Sequence, residues 1–389
     1  MALHEQFSIH FRRQLSEIQH SGRLRQLRDV TLLPGGWMEV NGKRVLNLSG
    51  NDYLGMAADL SDEHQSMERE WTGATASQLV VGHSPVMHAL EDQLADLKGT
   101  EAAVIFGSGY LANLGIFQAL ADRQTWIFSD RFNHASIVDG IVLSRARHQR
   151  YQHNDLVHLA ELLEKAPADA MKLIVTDAVF SMDGDLADLP GLVALKEKYG
   201  ALLIIDEAHS GGVFGERGEG LAHAHGMAAQ VDVLMGTFSK AYGVYGAYVA
   251  TSRLLADMLI NRARSLIYTT ALPPMVLHAI SRSVAMVSEQ NWRRERLWAN
   301  IKLFKAGLRH TGLDIGVSDS AILPVIIGDD AKAVDLSDTL LHRGICGVAI
   351  RPPTVPEGTA RIRFSLSAAH QQSDLEQAVS TLQRVCGLS

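Results

Sequence analysis

The chain has almost no cysteine: Cys346 and Cys386 are the only two among 389 residues. Two thiols cannot staple a chain of this length, and neither stands in a CxxC or other metal-ligand spacing. A disulfide framework and a cysteine metal site are therefore excluded, and buried or inert thiols are expected. Long apolar runs are also missing. No stretch approaches the roughly 18 residues of a membrane span, and the opening MALHEQFSIHFRRQ holds no apolar segment of the signal-peptide kind. A cytoplasmic protein with no membrane partner is expected. Nor is there an excess of positive charge: 36 Lys and Arg stand against 43 Asp and Glu, a net charge of −7 with the two signs mixed along the chain. Without a basic stripe to follow a phosphate backbone, nucleic acid is not an expected partner. Internal repeats and low-complexity linkers are absent too, so the structural units should pack closely.

What is present suffices for a proper core. Apolar residues make up 47% of the chain, and at about 100–200 residues per domain its length implies two or three units. The first thirty residues read as a helix, with Phe7, Phe11, Leu15 and Ile18 at helical spacing and Arg12, Arg13, Arg23, Arg25 and Arg28 between or after them. WMEV and KRVLNL flank Asn41-Gly42, the pair favoured in a type I′ turn because both residues need positive φ, so a hairpin is expected there. From about residue 84 to 250, the short runs AAVIF, WIFS, KLIVTD, ALLIID, DVLMG and GAYVA alternate with helical stretches, implying a largely parallel sheet with crossover helices. Its first helix should start with Ser84 as N-cap and Pro85 behind it, bury Met87, Leu90, Leu94 and Leu97, and stop at Gly99. Beyond about residue 285 follow a long charged helix, the strand AILPVIIG, a helix closed by Gly344 and a strand pair around ICGVAI and ARIRFSL. A last helix should open on a Ser373 to Glu376 capping box and end at Gly387. The expected fold is α/β, in three segments: a helix and hairpin arm over 1–52, a large sheet domain over 53–285, and a smaller α+β domain over 286–389.

In open α/β sheets ligands sit beyond the carboxyl ends of the strands, so the residues after each run matter first. AAVIF leads into Gly107-Ser108-Gly109-Tyr110, KLIVTDAVF into Ser181-Met182-Asp183-Gly184, ALLII into Asp206-Glu207-Ala208-His209, and DVLMG into Thr237-Phe238-Ser239-Lys240. Each group alone is ambiguous. Glycine ends strands for steric reasons, an aspartate after a strand commonly caps the next helix, a lone His209 is ordinarily a packed residue, and a lone lysine is ordinarily surface charge. Together they supply what pyridoxal phosphate (PLP) requires. Lys240 can form the Schiff base, Asp206 can raise the pKa of the pyridine nitrogen by charge pairing, and a glycine-lined helix start can hold the phosphate. A protonated ring is the electron sink for a carbanion at an amino acid's Cα. No metal is needed, and His223 and His225 read as surface loop residues.

On these residues the chain resembles the α-oxoamine synthases, a family of fold-type I PLP enzymes with a large, mostly parallel central sheet domain and a smaller C-terminal α+β domain. The likeness runs over nearly the whole chain: SGNDYLG (49–55), DRFNHASIVDG (130–140), VFSMDGD (179–185), IDEAHSGGVFGERG (205–218), TFSKAYG (237–243), IYTTALPP (267–274) and IRPPTVPEGTARIRFSLSAAH (350–370). The last segment is the most specific. It points to the branch that condenses L-alanine with a pimeloyl thioester, on coenzyme A or an acyl-carrier protein, with loss of CO2.

The resemblance implies roles residue by residue. Lys240 carries the cofactor, Asp206 pairs with the ring nitrogen, and His134 stacks on the ring. His209 and Ser181 bond the phenolic oxygen side, while Ser108, Gly109, Tyr110 and Thr237 hold the phosphate or the ring edge. Thr270 reaches the phosphate of a neighbouring subunit, so a homodimer with shared sites is implied. Arg25, Asn51, Thr354 and Arg363 match substrate-contact positions, and His134 would also hold the substrate carboxylate. Arg361 and Arg363 should share one face of a strand, with only Arg363 at the substrate. Two departures stand out. Where the family has a GSGGSR-like run this chain reads Gly73-Ala74-Thr75-Ala76-Ser77-Gln78 after Thr72, and Ser210 replaces a glycine, tolerable at negative φ. Other readings are a sibling activity, such as glycine C-acetyltransferase, 5-aminolevulinate synthase or serine palmitoyltransferase, and a non-catalytic scaffold, which would be expected to lack Lys240.

Overall fold

The structure is a computed structural model that describes residues 5–25, 27–63 and 71–387. The chain divides into two compact units, one of residues 51–298 and one of residues 1–50 with 299–389. The N-terminal stretch forms α1 (Glu5–His20), β1 (Val30–Leu33), β2 (Trp37–Val40) and β3 (Lys43–Asn47). The larger unit follows with α2 (Met56–Glu63), α3 (Pro85–Lys98), β4 (Ala102–Phe106), α4 (Gly109–Leu120), β5 (Trp126–Asp130), α5 (Ala135–Ser144), β6 (Arg147–Tyr151), α6 (Leu156–Glu164), β7 (Lys172–Asp177), α7 (Leu189–Tyr199) and β8 (Leu202–Asp206). It continues through α8 (Leu221–Ala224), β9 (Val233–Thr237), β10 (Ala247–Thr251), α9 (Arg253–Arg262), α10 (Arg264–Ile267) and α11 (Pro274–Glu289). The chain ends with α12 (Asn291–His310), β11 (Ile322–Gly328), α13 (Asp330–His342), β12 (Ile345–Cys346), β13 (Val348–Ile350), β14 (Ala360–Ser365) and α14 (Gln372–Val385). None of the described helices is long and apolar enough to cross a membrane.

The larger unit is built on a seven-stranded sheet in the order β4-β10-β9-β8-β7-β5-β6. Every neighbouring pair is parallel except those made by β10, which runs against both β4 and β9. The strands are apolar because helices cover the sheet. Val104, Phe106, Ile127, Leu173, Val175, Ile204, Val233 and Met235 form one core with Ile116, Phe117 and Ile137 of α4 and α5. β6, with the sequence RHQRY, carries no apolar signal and is not foreseen by sequence; it is an edge strand in which only Tyr151 is buried. Helix α3 forms as its sequence dictates. Ser84 caps it with its hydroxyl on the Met87 N–H, Met87, Leu90, Leu94 and Leu97 are buried, and Gly99 ends it in the left-handed region.

At the end of α3 lies an ion pair between Lys98 and Glu207, with both side chains at 0% exposure. Lys98 also donates to the Glu219 carbonyl, and Glu207 accepts the Ala222 N–H at 2.9 Å. His223, expected on a surface loop, is instead half-buried beside this pair, and burial together with the Lys98 charge lowers its pKa. A buried carboxylate stripped of its cation is far more costly than the pair itself. Lys98→Met should therefore destabilise the protein by about 3–5 kcal/mol, read as a shift of the urea midpoint. Adding Glu207→Gln should recover part of that loss; a single variant as stable as the wild type would mean that the pair contributes nothing.

The smaller unit holds the sheets β1-β2-β3-β12 and β11-β14-β13. The hairpin falls where the Asn41-Gly42 pair predicts, with φ of 51° and 75° at the two turn residues and Val40 opposite Lys43. The N-terminal segment, expected as an arm of its own over 1–52, instead joins the C-terminal residues, because β3 pairs in parallel with β12 through Ile345↔Leu46 and Cys346↔Asn47. The division falls inside α12, at residue 298, rather than at 285. Helix α1 stops at His20, ten residues short of the expected thirty, where Gly22 turns left-handed and the Arg23 N–H bonds the Ile18 carbonyl at 3.0 Å. Its Phe7, Phe11, Leu15 and Ile18 are exposed, at 42 to 54%. The capping box at the last helix is not used: α14 begins at Gln372, after Gln371, so Ser373 already lies in the first turn. Cys346 is buried in the core of the unit beside Met38, Val40 and Val45 while Cys386 is half-buried, and burial raises both thiol pKa values, as inert thiols require.

Candidate active site

Register brings the strand ends to one edge of the sheet. Asp177 at the end of β7 stands opposite Asp206 at the end of β8, Asp206 opposite Met235 of β9, and Thr237 opposite Ala247, which faces Phe106 at the end of β4. Ser108, Gly109, Tyr110, His134, Ser181, Asp206, His209, Thr237 and Lys240 all lie at or just after these strand ends. Ser108 caps α4 by accepting the Leu111 N–H at 3.3 Å, which leaves the Gly109 and Tyr110 N–H groups at the positive end of the helix. A Cβ added at Gly109 would point at Thr237, 3.7 Å from its Cβ and 3.9 Å from its Oγ1. The helix start and the strand end thus form a narrow cradle. The Tyr110 ring is exposed and its hydroxyl donates to Asp139 of α5, which raises the phenol's pKa.

Lys240 is half-buried in a turn closed by the Gly243 N–H on its own carbonyl at 2.9 Å. Just before it, Thr237 Oγ1 donates to the Gly246 carbonyl at 2.9 Å and accepts the Ser239 N–H at 3.2 Å. Asp206 is 3% exposed. Its Oδ2 accepts from Asn113 Nδ2 at 2.8 Å and its Oδ1 from the Ala208 N–H at 2.9 Å. Asn113, on α4, also donates to Ser136 Oγ at 2.9 Å, and Ser136 Oγ lies 2.7 Å from His134 Nδ1. One amide therefore ties Asp206 to the His134 ring.

The backbone of His134 is fixed as well, since its N–H donates to Asp177 Oδ2 at 2.8 Å. Partial burial lowers the imidazole pKa; the Asp206 charge opposes this and the Lys240 charge assists it. Burial, and then the Asp206 charge, push the Asp177 carboxyl well above the usual range. His209, 8% exposed, places Nδ1 2.6 Å from the hydroxyl of Tyr53, which also donates to Asn51 Oδ1 at 3.2 Å. Tyr53 is thus the link that brings Asn51 to the His209 side. Ser181 sits in a tight turn, flanked by the Gly184 N–H on the Phe180 carbonyl at 2.8 Å and the Phe180 N–H on the Asp185 carbonyl at 3.0 Å.

Thr270 is exposed, between α10 and α11, and makes no hydrogen bond to the strand-end residues. The remaining sequence-predicted residues belong to the smaller unit. Arg25 and Thr354 are exposed there, with the Thr354 N–H on the Arg351 carbonyl at 3.1 Å. Arg361 and Arg363 are both buried in β14, two residues apart and on one face, as alternation predicts. Arg361 bonds the Thr359 carbonyl at 3.0 Å and Oγ1 at 3.1 Å, whereas Arg363 Nη1 donates to Ser365 Oγ at 2.7 Å. In the atypical loop Thr75 has φ of 61°, a left-handed conformation that costs a β-branched residue far more than the glycine it replaces. Ser210 avoids the positive-φ region, and its buried hydroxyl has no hydrogen-bond partner.

The residues fit PLP. The cradle at Gly109 and Thr237 suits a phosphate, a half-buried amine stands at Lys240, and the buried Asp206 carboxylate accepts hydrogen bonds from two neutral donors, which leaves it able to take a cationic ring nitrogen as its counter-charge. Fold and site together define a fold-type I PLP-dependent enzyme, and the chain belongs to the family of class I and II aminotransferases, whose profile matches residues 43–382. Its cofactor is pyridoxal 5'-phosphate. Within the family it is 50% identical over 372 residues to a protein of Geobacillus kaustophilus, covering 95% of each chain, and 46% identical over 387 residues to one of Bacillus mycoides, covering 98% of each; both carry the name "Putative 8-amino-7-oxononanoate synthase". Among solved structures, serine palmitoyltransferase from S. paucimobilis with bound PLP and myriocin superposes with a TM-score of 0.90 at 30% identity, covering 100% of both chains. The 8-amino-7-oxononanoate synthase of Francisella tularensis superposes with a TM-score of 0.72 at 29% identity over 87% of this chain and 97% of that one.

Proposed function

We propose that the chain condenses L-alanine with a pimeloyl thioester, releasing CO2 and the thiol and forming 8-amino-7-oxononanoate, a step of biotin biosynthesis in the cytoplasm. The observation that carries this reading is identity of 46 to 50% over nearly full length to relatives bearing that name, supported by the RPPTVP segment at residues 351–356. Bound PLP supplies the electron sink that makes the alanine Cα acidic. Lys240 Nζ, sheltered and freed once alanine binds, takes the proton from Cα and later returns one. Asp206 holds the ring nitrogen protonated, and Asn113 holds Asp206. His134 would stack on the bound ring and help hold and orient the alanine carboxylate. Ser181 and His209 bond the ring oxygen, with Tyr53 behind His209, and Ser108, Gly109, Tyr110 and Thr237 take the phosphate side. For the substrates we assign Arg25, Asn51, Thr354 and Arg363, the last as a fork on the alanine carboxylate, which lysine could not reproduce.

We further infer a homodimer in which Thr270 serves the partner's phosphate. Leu79, Val80, Val81 and Tyr268 are exposed at 54 to 72%, an apolar surface that a second copy would cover.

CO2 release measured with alanine, glycine and serine against pimeloyl, acetyl and palmitoyl thioesters tests the substrate assignment. Alanine with pimeloyl thioester should exceed the other pairs in kcat/KM by at least about tenfold, since one methyl group discriminates by about 10–200-fold. Preference for glycine with acetyl-CoA, or for serine with a palmitoyl thioester, would replace this reading with a sibling activity. Running the pimeloyl arm on both coenzyme A and an acyl-carrier protein identifies the donor.

A further inference from the structure

His153 follows β6 in a connection that lies behind the two turns bearing His134 and Ser181. Its Nδ1 is 3.1 and 3.2 Å from the two oxygens of Asp130, and its Nε2 is 2.8 Å from Asp185 Oδ2. Asp130 ends β5 and begins the turn to His134: its Oδ1 accepts the Phe132 N–H at 2.8 Å, and its carbonyl accepts the Asn133 N–H at 3.2 Å. Asp185 closes the turn around Ser181, its carbonyl bonded by the Phe180 N–H. Asn154 repeats the tie, with its N–H on Asp130 Oδ2 at 2.8 Å and its side-chain amide on Asp185 Oδ2 at 2.9 Å. The imidazole is stacked on Phe132 at 4.5 Å and meets the edge of Phe180 at 4.4 Å, so the ring has no freedom to turn away.

A carboxylate only accepts hydrogen bonds, and a neutral imidazole has a single N–H to give. With a carboxylate at each nitrogen, both bonds form only if the ring is the imidazolium. The charged or titratable groups on the neighbouring elements are Asp130 of β5 and Arg131 after it, Arg150 and Tyr151 of β6, Asp155 before α6 and His158 within it, and Asp177 of β7 with Asp183 and Asp185 after it; Asp130 and Asp185 are the two bonded to the ring. Burial opposes the charge, but the bonds to Asp130 and Asp185 outweigh it and raise the His153 pKa to about 9.

We propose that His153 is a positioning residue for the cofactor site, an imidazolium that locks the His134 turn to the Ser181 turn. It touches neither cofactor nor substrate; it sets where two groups that do are held, and small displacements of such groups are costly. The inference rests on the PLP site and not on the choice of substrates. Because the pKa is higher in the folded state than in the unfolded chain, the lock is complete below about pH 6.5 and is lost as pH rises through about 9.

The test is PLP affinity of the full-length chain, by equilibrium dialysis from pH 6 to 10, beside apoprotein melting over the same range. His153→Gln should weaken PLP binding about tenfold at pH 7, the scale of losing supporting bonds behind a bound group, and should erase a wild-type step in affinity near pH 9. His153→Arg, which keeps the charge, should recover part of the affinity at pH 7. A His153→Gln protein that melts lower yet binds PLP with wild-type affinity and an unchanged pH profile would show a merely structural role and overturn the proposal. An unchanged protein would overturn it too. Because no arm measures product, neither failure can be confused with a wrong substrate.

Discussion

Lys240→Ala should lower turnover by at least about 10,000-fold, since on the proposed mechanism it removes the proton carrier at Cα and the covalent attachment of the cofactor together, and proton transfer alone is worth about 100–10,000-fold. The variant should still fold. Lys240 is half-buried in a turn held by the Gly243 N–H on the Lys240 carbonyl and the Val244 N–H on the Phe238 carbonyl, both at 2.9 Å, and by the Thr237 hydroxyl on the Gly246 carbonyl. An alanine leaves them intact. The phosphate cradle of Gly109 and Thr237 is equally unaffected, so PLP should bind without becoming attached. Borohydride reduction followed by peptide mapping is the direct measurement: the wild type should retain the cofactor on the peptide containing Lys240, and the variant on none. Lys240→Arg separates charge from chemistry, because it restores a cation near Asp206 and His134 but cannot link to the cofactor or take the proton. Normal turnover in either variant would remove Lys240 from the reaction, and a cofactor mapped to another lysine would relocate the site.

The strand ends are legible in the sequence because a parallel sheet imposes its own order. Each apolar run fixes where a strand stops, and all parallel strands stop at one edge. The first polar residues after AAVIF, KLIVTD, ALLII and DVLMG must therefore be neighbours, whatever separates them along the chain. The residues that support them follow no such rule. Asn113 reaches Asp206 across 93 residues and Tyr53 reaches His209 across 156, so each partner belongs to a different stretch of sequence. In LANLGIF, Asn113 reads as an ordinary polar residue of a helix; the available signal is that a buried-looking helix with almost no other polar position retains an amide there. Tyr53 carries a better signal in SGNDYLG, but the pattern alone favours its neighbour Asn51. His153 is hidden because β6, the strand that leads to it, is an edge strand of RHQRY with nothing apolar to mark it. The N-terminal helix is shorter than its sequence suggests for a related reason: the spacing of Phe7, Phe11, Leu15 and Ile18 marks the helix truly, but the arginines after it give no sign that Gly22 is the stop.

Asp206→Asn should leave the fold standing and lower turnover by about 1,000-fold, the scale on which loss of one preorganised electrostatic group is felt at a reacting centre. The carboxylate accepts two donors, Asn113 Nδ2 on one oxygen and the Ala208 N–H on the other. An amide has one accepting oxygen. If that oxygen keeps Ala208, the new NH2 faces the NH2 of Asn113, donor against donor. Asn113 can relieve the conflict by turning its amide over, which gives its partnerless buried Oδ1 a donor but takes its NH2 away from the two oxygens it bonds. The turn has a consequence two bonds away. Asn113 would no longer donate to Ser136 Oγ, and the Ser136 hydroxyl would turn to donate to Asn113 Oδ1, so that His134 Nδ1 would lose the hydroxyl as a donor and keep only the Ser136 N–H at 3.3 Å. On the proposed roles the substitution therefore removes the charge that holds the ring nitrogen protonated and also loosens the hold on the His134 imidazole, while the backbone N–H groups of Ala208 and Ser136 keep their acceptors. Melting should fall only slightly, PLP should still bind, and exchange of the alanine Cα proton in D2O should slow in parallel with turnover. Undiminished exchange would mean that the ring nitrogen is held by another group. Exchange that slows while an Asn113→Asp, Asp206→Asn double variant regains it would place the charge, rather than the residue that bears it, at the centre of the effect.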